Sequence, residues 1–298
     1  MVKTRRPGVF GTEPATVQSG PVGVEAGAES QEVAGLHVLP LSIPGSQTLW
    51  AVLARQDEQA MPRDLVAIYR GLRVAYSDPQ TGAASEVVAD IHTYVNAHIP
   101  RRCPSVAEKD ELVQIVKQEL RAPFGQRRML DAEDDDRVKI AHTFSGQGSP
   151  EEVRITLRYA LTFGRTTADR LQRYCDEDPK IGLDCVGFVM NYFMFIGRLD
   201  ERLSYIDGYA ERGTPRLDID ELRPRDVLIW QSANADAIGH IAVVDRKDAG
   251  SDRMMVAESC GSRGLSVSEY AVLEVRDGLF TVHVTGGATS HVRIYEMP

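Results

Sequence analysis

The chain has little of what staples, anchors or charges a protein for a special environment. Its four cysteines, at positions 103, 175, 185 and 260 of 298 residues, form no Cys-x-x-Cys pair, and the seven histidines complete no zinc spacing. A disulfide framework and a metal site are therefore not expected, and no cofactor is called for. No run of about twenty apolar residues is present, so no membrane span is expected. Basic residues are outnumbered, with 34 Lys and Arg against 43 Asp and Glu, a net charge of −9 and a pI near 5.3. That balance argues against a nucleic-acid partner and gives no attraction to an anionic wall or membrane. The basic start Met1 to Pro7 leads into polar Gly-, Pro- and Ser-containing sequence without the apolar stretch of a signal peptide. The protein is thus expected to be made in the cytoplasm, and a substrate outside the cell implies specialised secretion, a phage particle or lysis.

What remains is ordinary globular material, 43% hydrophobic and 26% charged, enough for one large or two ordinary domains. Residues 1–35 read as a flexible leader and 36–148 as a mainly helical N-terminal region. Leu36 to Ile43 alternates like a strand, whereas Arg63 to Tyr76 and Glu86 to His98 carry apolar residues at helical spacing. Ser105 and Glu108 form a capping-box signature before a helix to about Arg121. Pro44 to Ala54 resembles the opening of a LysM glycan-binding repeat, although a Trp and a Leu packing a helix on the domain account for it better. The acidic stretch Asp131 to Asp136 lacks the Gly and terminal Glu of a calcium loop and reads as a solvated linker. A second domain, 149–298, starts where Ser149-Pro150-Glu151-Glu152 signals a helix running to about Leu161. It is expected to fold on its own.

Chemistry concentrates in that second domain. Cys185 opens a run apolar on most sides, Val186 to Ile196, which predicts a buried helix with its stop at Gly197 to Arg198. At a helix N-terminus the dipole and unpaired N–H groups favour a thiolate and can stabilise an oxyanion. His240 opens the strand His-Ile-Ala-Val-Val, and Glu258 ends a second strand begun at Met254, so an antiparallel pair brings the carboxylate to the imidazole. That holds if the face carrying both looks onto the cysteine helix. Singly, each residue is more often structural: a packed thiol, a satisfied histidine, a solvated acid. Together they read as nucleophile, base and orienter.

These residues resemble a family. Asp184-Cys185-Val186-Gly187-Phe188-Val189 is similar to the Asp-Cys-Ser-Gly-Phe-Val signature of NlpC-type cell-wall peptidases, and Arg223 to Trp230 to their Pro-Gly-Asp-Leu-Val-Phe strand. Gly239 to Val244 followed by Val256 to Ser259 is closer to the CHAP amidases. The resemblance covers about residues 150–275 and implies an α+β, papain-like domain with the cysteine helix packed on a small antiparallel sheet. It implies amide hydrolysis of peptidoglycan, as a stem-peptide endopeptidase or N-acetylmuramoyl-L-alanine amidase, by Cys185, His240 and Glu258, with Asp184 contacting substrate. Val186 stands where the family has Ser, and Arg225 where its turn has Gly. Two other readings stay open: a delivered effector of the same fold that deamidates a protein or transfers an acyl group, with its delivery or immunity partner unknown, and a noncatalytic phage or secretion component. For the third catalytic member, Asp245 and Ser259 compete with Glu258.

Overall fold

A computed structural model of the chain describes residues 59–95, 105–177, 180–231 and 238–298. The strand expected at Leu36 to Ile43 and the Pro44 to Ala54 motif lie outside these residues, as does Cys103. Seven α-helices are seen among the described residues: α1 Pro62–Arg70, α2 Ser105–Arg121, α3 Asp136–Phe144, α4 Pro150–Thr162, α5 Leu171–Asp176, α6 Cys185–Phe195 and α7 Asp207–Arg212. A hairpin of β1 Leu72–Ser77 and β2 Ala84–Ala89 follows α1. The remaining strands are β3 Thr214–Pro215, β4 Val227–Gln231, β5 Ile238–Lys247, β6 Arg253–Cys260, β7 Gly264–Arg276, β8 Leu279–Val284 and β9 Thr289–Glu296. None of the described helices is long and apolar enough to cross a membrane.

The expected papain-like arrangement, helices on a small open sheet, is not what forms. β4 through β9 run antiparallel in the order β9-β4-β5-β6-β7-β8, and β8 pairs again with β9, so six strands close into a barrel with β3 attached outside β9. Closure needs bent, staggered strands, and the register shifts at Trp230/Gln231, Val244/Arg246 and Val272/Glu274 supply local bends. Leu228, Ala242, Val244, Met254, Val256, Tyr270, Val282 and Ile294 fill one core, the barrel interior. The alternate residues Val227, Ile229, Ile241, Val243 and Ala257 join a second core built with the helices. Strands such as Val227-Leu228-Ile229 are apolar throughout because both of their faces are buried.

Local signals placed several elements well. Ser149 caps α4 in a reciprocal box, its N–H donating to Glu152 Oε2 at 2.7 Å while its Oγ accepts from the Glu152 N–H, with Pro150 at the first helical position. At the end of α6 Gly197 takes φ 74°, and the Arg198 N–H returns 2.8 Å to the Phe193 carbonyl, the left-handed stop that glycine permits. The helix expected over Glu86 to His98 is instead strand β2 followed by extended chain, since Val87 and Val88 alternate in burial against β1. The acidic stretch is not a solvated linker either. Asp136 is buried, receives the Tyr159 hydroxyl at 2.9 Å, and shares Lys139 with Glu133 and Asp135 at 2.9, 3.3 and 3.1 Å. Those three acids are the described group spaced closely enough to hold a metal, and the Lys139 ammonium already lies among them.

Residues before 149 belong to the same core as those after it. Leu65, Tyr69, Leu72, Ile91, Leu112 and Ile140 are buried in one cluster with Phe188, Phe193, Ile241, Val243 and Leu265. Polar ties cross the same line: Tyr69 donates to the Gly148 carbonyl at 2.8 Å, Tyr192 to the Ala60 carbonyl at 3.0 Å, and Arg63 pairs with buried Asp245 at 2.7 Å. Each large apolar side chain whose cover is removed forfeits about 1.5–3 kcal/mol, and a domain has only about 5–15 kcal/mol in total. A chain beginning at residue 149 is therefore expected to lose cooperative unfolding and near-UV circular dichroism. A sharp thermal transition in that fragment would show that the barrel and α6 stand without their N-terminal cover.

Candidate active site

The site forms at one mouth of the barrel. His240 and Glu258 continue the inward-facing series Val244, Ala242 on β5 and Met254, Val256 on β6, so both side chains point into the barrel rather than toward α6. Helix α6 lies against the opposite face, over Ile241, Val243 and Ala257. The expectation that the His–Glu face looks onto the cysteine helix is thus corrected. Cys185, at the first position of α6, meets His240 at the barrel rim instead.

His240 Nε2 lies 2.9 Å from Glu258 Oε2, and Cys185 is close enough to the ring to act on its charge. Burial disfavours the imidazolium, but hydrogen bonds to Cys185 and Glu258 and the attraction of their negative charges outweigh it, and His240 is pushed up from 6.5 to about 9. That rise is worth on the order of 3 kcal/mol between the two protonation states. Glu258 is 1% exposed. Burial alone would raise its pKa; the hydrogen bonds it accepts from His240, Arg263 and Tyr270 hold it below the ordinary carboxylate value. Arg263 Nη2 and the Tyr270 hydroxyl reach Glu258 Oε1 at 2.5 and 2.8 Å, and the guanidinium also donates to Tyr270 at 2.9 Å. Trp230, directly opposite His240 on β4, packs its ring 4.7 Å from the imidazole centroid and 6.0 Å from Tyr270. The imidazole is therefore fixed by a carboxylate at one nitrogen and an indole along its side.

The start of α6 is held as firmly. Asp184 is its N-cap: its Oδ1 accepts from the Gly187 N–H and its carbonyl from the Phe188 N–H, 3.1 Å away. The Cys185 and Val186 N–H groups, which have no partner within the helix, remain at the helix opening. Gly187 has no room for a side chain, because a Cβ there would stand inside van der Waals contact of the Gly146 carbonyl oxygen. The close approach that this glycine permits is therefore backbone, the 146–148 loop. That loop is itself tied down, with the Gln147 carbonyl receiving Arg202 at 2.9 Å and Asn191 at 3.2 Å, and Arg202 held by Glu152.

Of the residues singled out from sequence, Cys185, His240 and Glu258 are brought together. Asp184 is next to them but 4% exposed and engaged in capping. Asp245 is turned to Arg63, and the Ser259 hydroxyl donates 2.7 Å to the Leu183 carbonyl, so neither reaches His240. Cys175 is a contrast to Cys185: its thiol is pushed up to about 12 by burial and by Asp176 and Asp90, as in an inert packed cysteine. Four residues of the site went unnoticed in the sequence. Trp230 and Tyr270 sit at inward positions of strands, Arg263 on the β6–β7 turn, and Tyr94 on the segment joined to Leu183 by a parallel bridge. The Tyr94 hydroxyl is pushed up to about 12 by burial and by the negative charges of Cys185, Asp184 and Cys260, which puts it in the field of Cys185. Compared with family models, with curated proteins and with solved structures, the chain gives no match.

Two expectations follow from this geometry. For Glu258→Gln the His240 pKa, followed by NMR titration, should fall well below 9, since the amide keeps the shape and loses the charge; an unchanged value would separate Glu258 from the imidazole. For the parent protein, His240 has a folded value above its unfolded one, so its contribution to stability is full below about 6.5 and is lost as pH rises from there through about 9. Glu258, with its folded value lowered, contributes above its ordinary value of 4.5 and loses that contribution as pH falls through its folded value. Thermal melts across pH 6 to 10 should therefore show an alkaline loss of stability that is smaller in His240→Gln.

Proposed function

We propose that the protein is a cysteine hydrolase that cleaves an amide bond. The observation carrying this reading is the row Cys185–His240–Glu258, in which a thiol at a helix N-terminus lies beside an imidazole that is hydrogen-bonded to a buried carboxylate. In this reading the Cys185 sulfur adds to the amide carbonyl carbon, and the oxyanion is received by the Cys185 and Val186 N–H groups at the opening of α6. The tetrahedral adduct collapses, the C–N bond breaks, and the imidazolium gives its proton to the leaving amine. Water then attacks the thioester as neutral His240 takes its proton, and the carbonyl carbon leaves as an acid while the sulfur is restored. Glu258 keeps the imidazolium charge matched through both steps. Asp184, capped and enclosed, is assigned to holding the helix start and not to binding substrate.

The substrate class comes from the motif resemblance around Cys185: peptidoglycan amides, either within the stem peptide or at the muramoyl to L-alanine bond. Arrival at the wall by specialised secretion or with a phage belongs to the same proposal. A cysteine only 7% exposed at a barrel rim suits a slender extended peptide better than a folded protein surface.

Purified peptidoglycan incubated with the protein should release new amine ends, located by mass analysis of the fragments. Cys185→Ala should reduce turnover by several orders of magnitude, as loss of a nucleophile does in other triad enzymes, with an unchanged circular dichroism spectrum. A Cys185→Ala protein that still releases fragments at more than a tenth of the parent rate would remove the sulfur from the reaction.

A further inference from the structure

The end of β4 remote from His240 opens into a cavity of about 310 Å³ whose walls include Arg198, Arg216, Arg223, Arg225, Asp226 and Glu296. Four guanidinium groups against two carboxylates make it a local excess of positive charge in a chain of net charge −9. Both acids pair with one guanidinium, and Asp226 Oδ2 also accepts the Arg223 backbone N–H at 2.8 Å. Arg216 Nε and Nη2 each lie 3.0 Å from Asp226, and its Nη1 lies 3.0 Å from Glu296. The other three have no carboxylate partner among the described residues. Arg198 donates to the Met297 carbonyl at 3.1 Å, and Arg223 donates to the Asp220 and Leu222 carbonyls at 2.5 and 2.8 Å. Carbonyl oxygens satisfy donors without neutralising charge.

Arg225 is the least satisfied of them. Its Nη2 finds the Ala60 carbonyl only at 3.5 Å, and its enclosed Nε has no acceptor among the described residues. Leaving a buried charged donor unmet costs about 1–3 kcal/mol or more. The residue also takes φ 77°, a left-handed backbone that a non-glycine side chain disfavours by about 1–3 kcal/mol. A glycine would relieve both penalties, yet an arginine stands there. The Ala60 carbonyl and the Tyr192 hydroxyl beside the guanidinium are uncharged, so its positive charge is met only if an anion reaches it from the cavity.

We propose that this cavity is a binding site for a compact dianion of the phosphate type, a phosphate monoester or a pyrophosphate, held by Arg198, Arg223 and Arg225. The planar forks of arginine match tetrahedral phosphate oxygens in pairs, and three such forks on one small cavity suit a doubly charged group better than a single carboxylate. The cavity lies at the lower bound of small-molecule pockets, enough for the anion and a short attached portion. The site is independent of the catalytic reading, since none of its arginines belongs to the row at the other end of β4.

The test is isothermal titration calorimetry of the full chain with inorganic phosphate and with pyrophosphate at fixed ionic strength, using acetate as the monoanion. Saturable one-site binding of phosphate or pyrophosphate, at least tenfold stronger than acetate, is expected. Arg225→Gly should fold, because glycine adopts the backbone freely, and should bind at least tenfold more weakly. Arg223→Gln, at an exposed position, should do the same and guards against a folding effect of the first variant. Arg173→Gln, on a helix away from the cavity, should leave binding unchanged. Absence of saturable binding at millimolar anion would overturn the proposal. So would binding that follows ionic strength alone, acetate binding as tightly as phosphate, or affinity unaltered in both cavity variants.

Discussion

A carboxylate enclosed to 1% exposure in a barrel mouth is unstable unless its charge is met, and the arrangement around Glu258 is organised by that requirement. One oxygen takes the imidazole and the other takes the guanidinium of Arg263 and the hydroxyl of Tyr270. These donors come from three places on the barrel wall, β5, the β6–β7 turn and β7, so their convergence depends on the strand registers and on closure. A slip of one residue in β7 would turn Tyr270 outward and leave Glu258 Oε1 to Arg263 alone. The barrel thus positions a charge, and the charge in turn holds the imidazole by its Nε2. Arg263 adds something an enclosed pair lacks: a cation at a partly exposed turn that faces Glu258 whether His240 is charged or neutral.

The second fixed point is the start of α6, and here backbone packing does what charge does at Glu258. Gly146, Gly182 and Gly187 mark places where other chain segments lie so close that a Cβ would overlap a backbone atom of the loop or strand alongside. The 92–95 segment runs between Leu183 and Gly264, its Thr93 carbonyl receiving the Leu183 N–H at 3.0 Å and its His92 carbonyl the Leu265 N–H at 2.7 Å. It links the cysteine helix to the β6–β7 turn that carries Arg263. Tyr94 lies on that strip. The region before residue 149 therefore reaches the site with a side chain as well as covering the core, which explains why one apolar cluster spans both halves.

How much of this the sequence discloses depends on whether the signal is local. The α4 capping box, the glycine stop of α6 and the Cys185 helix start are each written in a few adjacent residues, and they appear in place. Cys185, His240 and Glu258 were legible because residue type, helix start and strand alternation pointed the same way. Barrel closure was not legible, because the β9 to β4 pairing joins residues more than sixty positions apart, Val292 with Trp230 and Tyr295 with Val227, and leaves no mark at any one position. A trace existed: Val227-Leu228-Ile229 and Ile241-Ala242-Val243-Val244 are apolar on both faces, more than a half-buried sheet requires. The reading of 86–98 as a helix failed for a related reason. Its apolar spacing fits either period over so short a stretch, and the β1 partner decided it.

Closing the sheet also changes where Cys185, His240 and Glu258 can meet. In an open sheet with the helix on the same face as the histidine, the sulfur and imidazole would meet across a layer of side chains. Here they belong to opposite faces of one barrel wall and meet only where that wall ends. The row is therefore confined to the rim, with Trp230 and Tyr270 filling the barrel beneath it and Tyr94 bordering the helix opening. An imidazole in that position keeps 19% of its side-chain surface exposed, while its partner carboxylate keeps 1%. The same enclosure keeps the interaction between the three charges strong, since little water screens them. The high pKa of His240 is the consequence, and in the proposed reaction an imidazole that retains its proton near neutrality is suited to protonating the leaving amine once the sulfur has added.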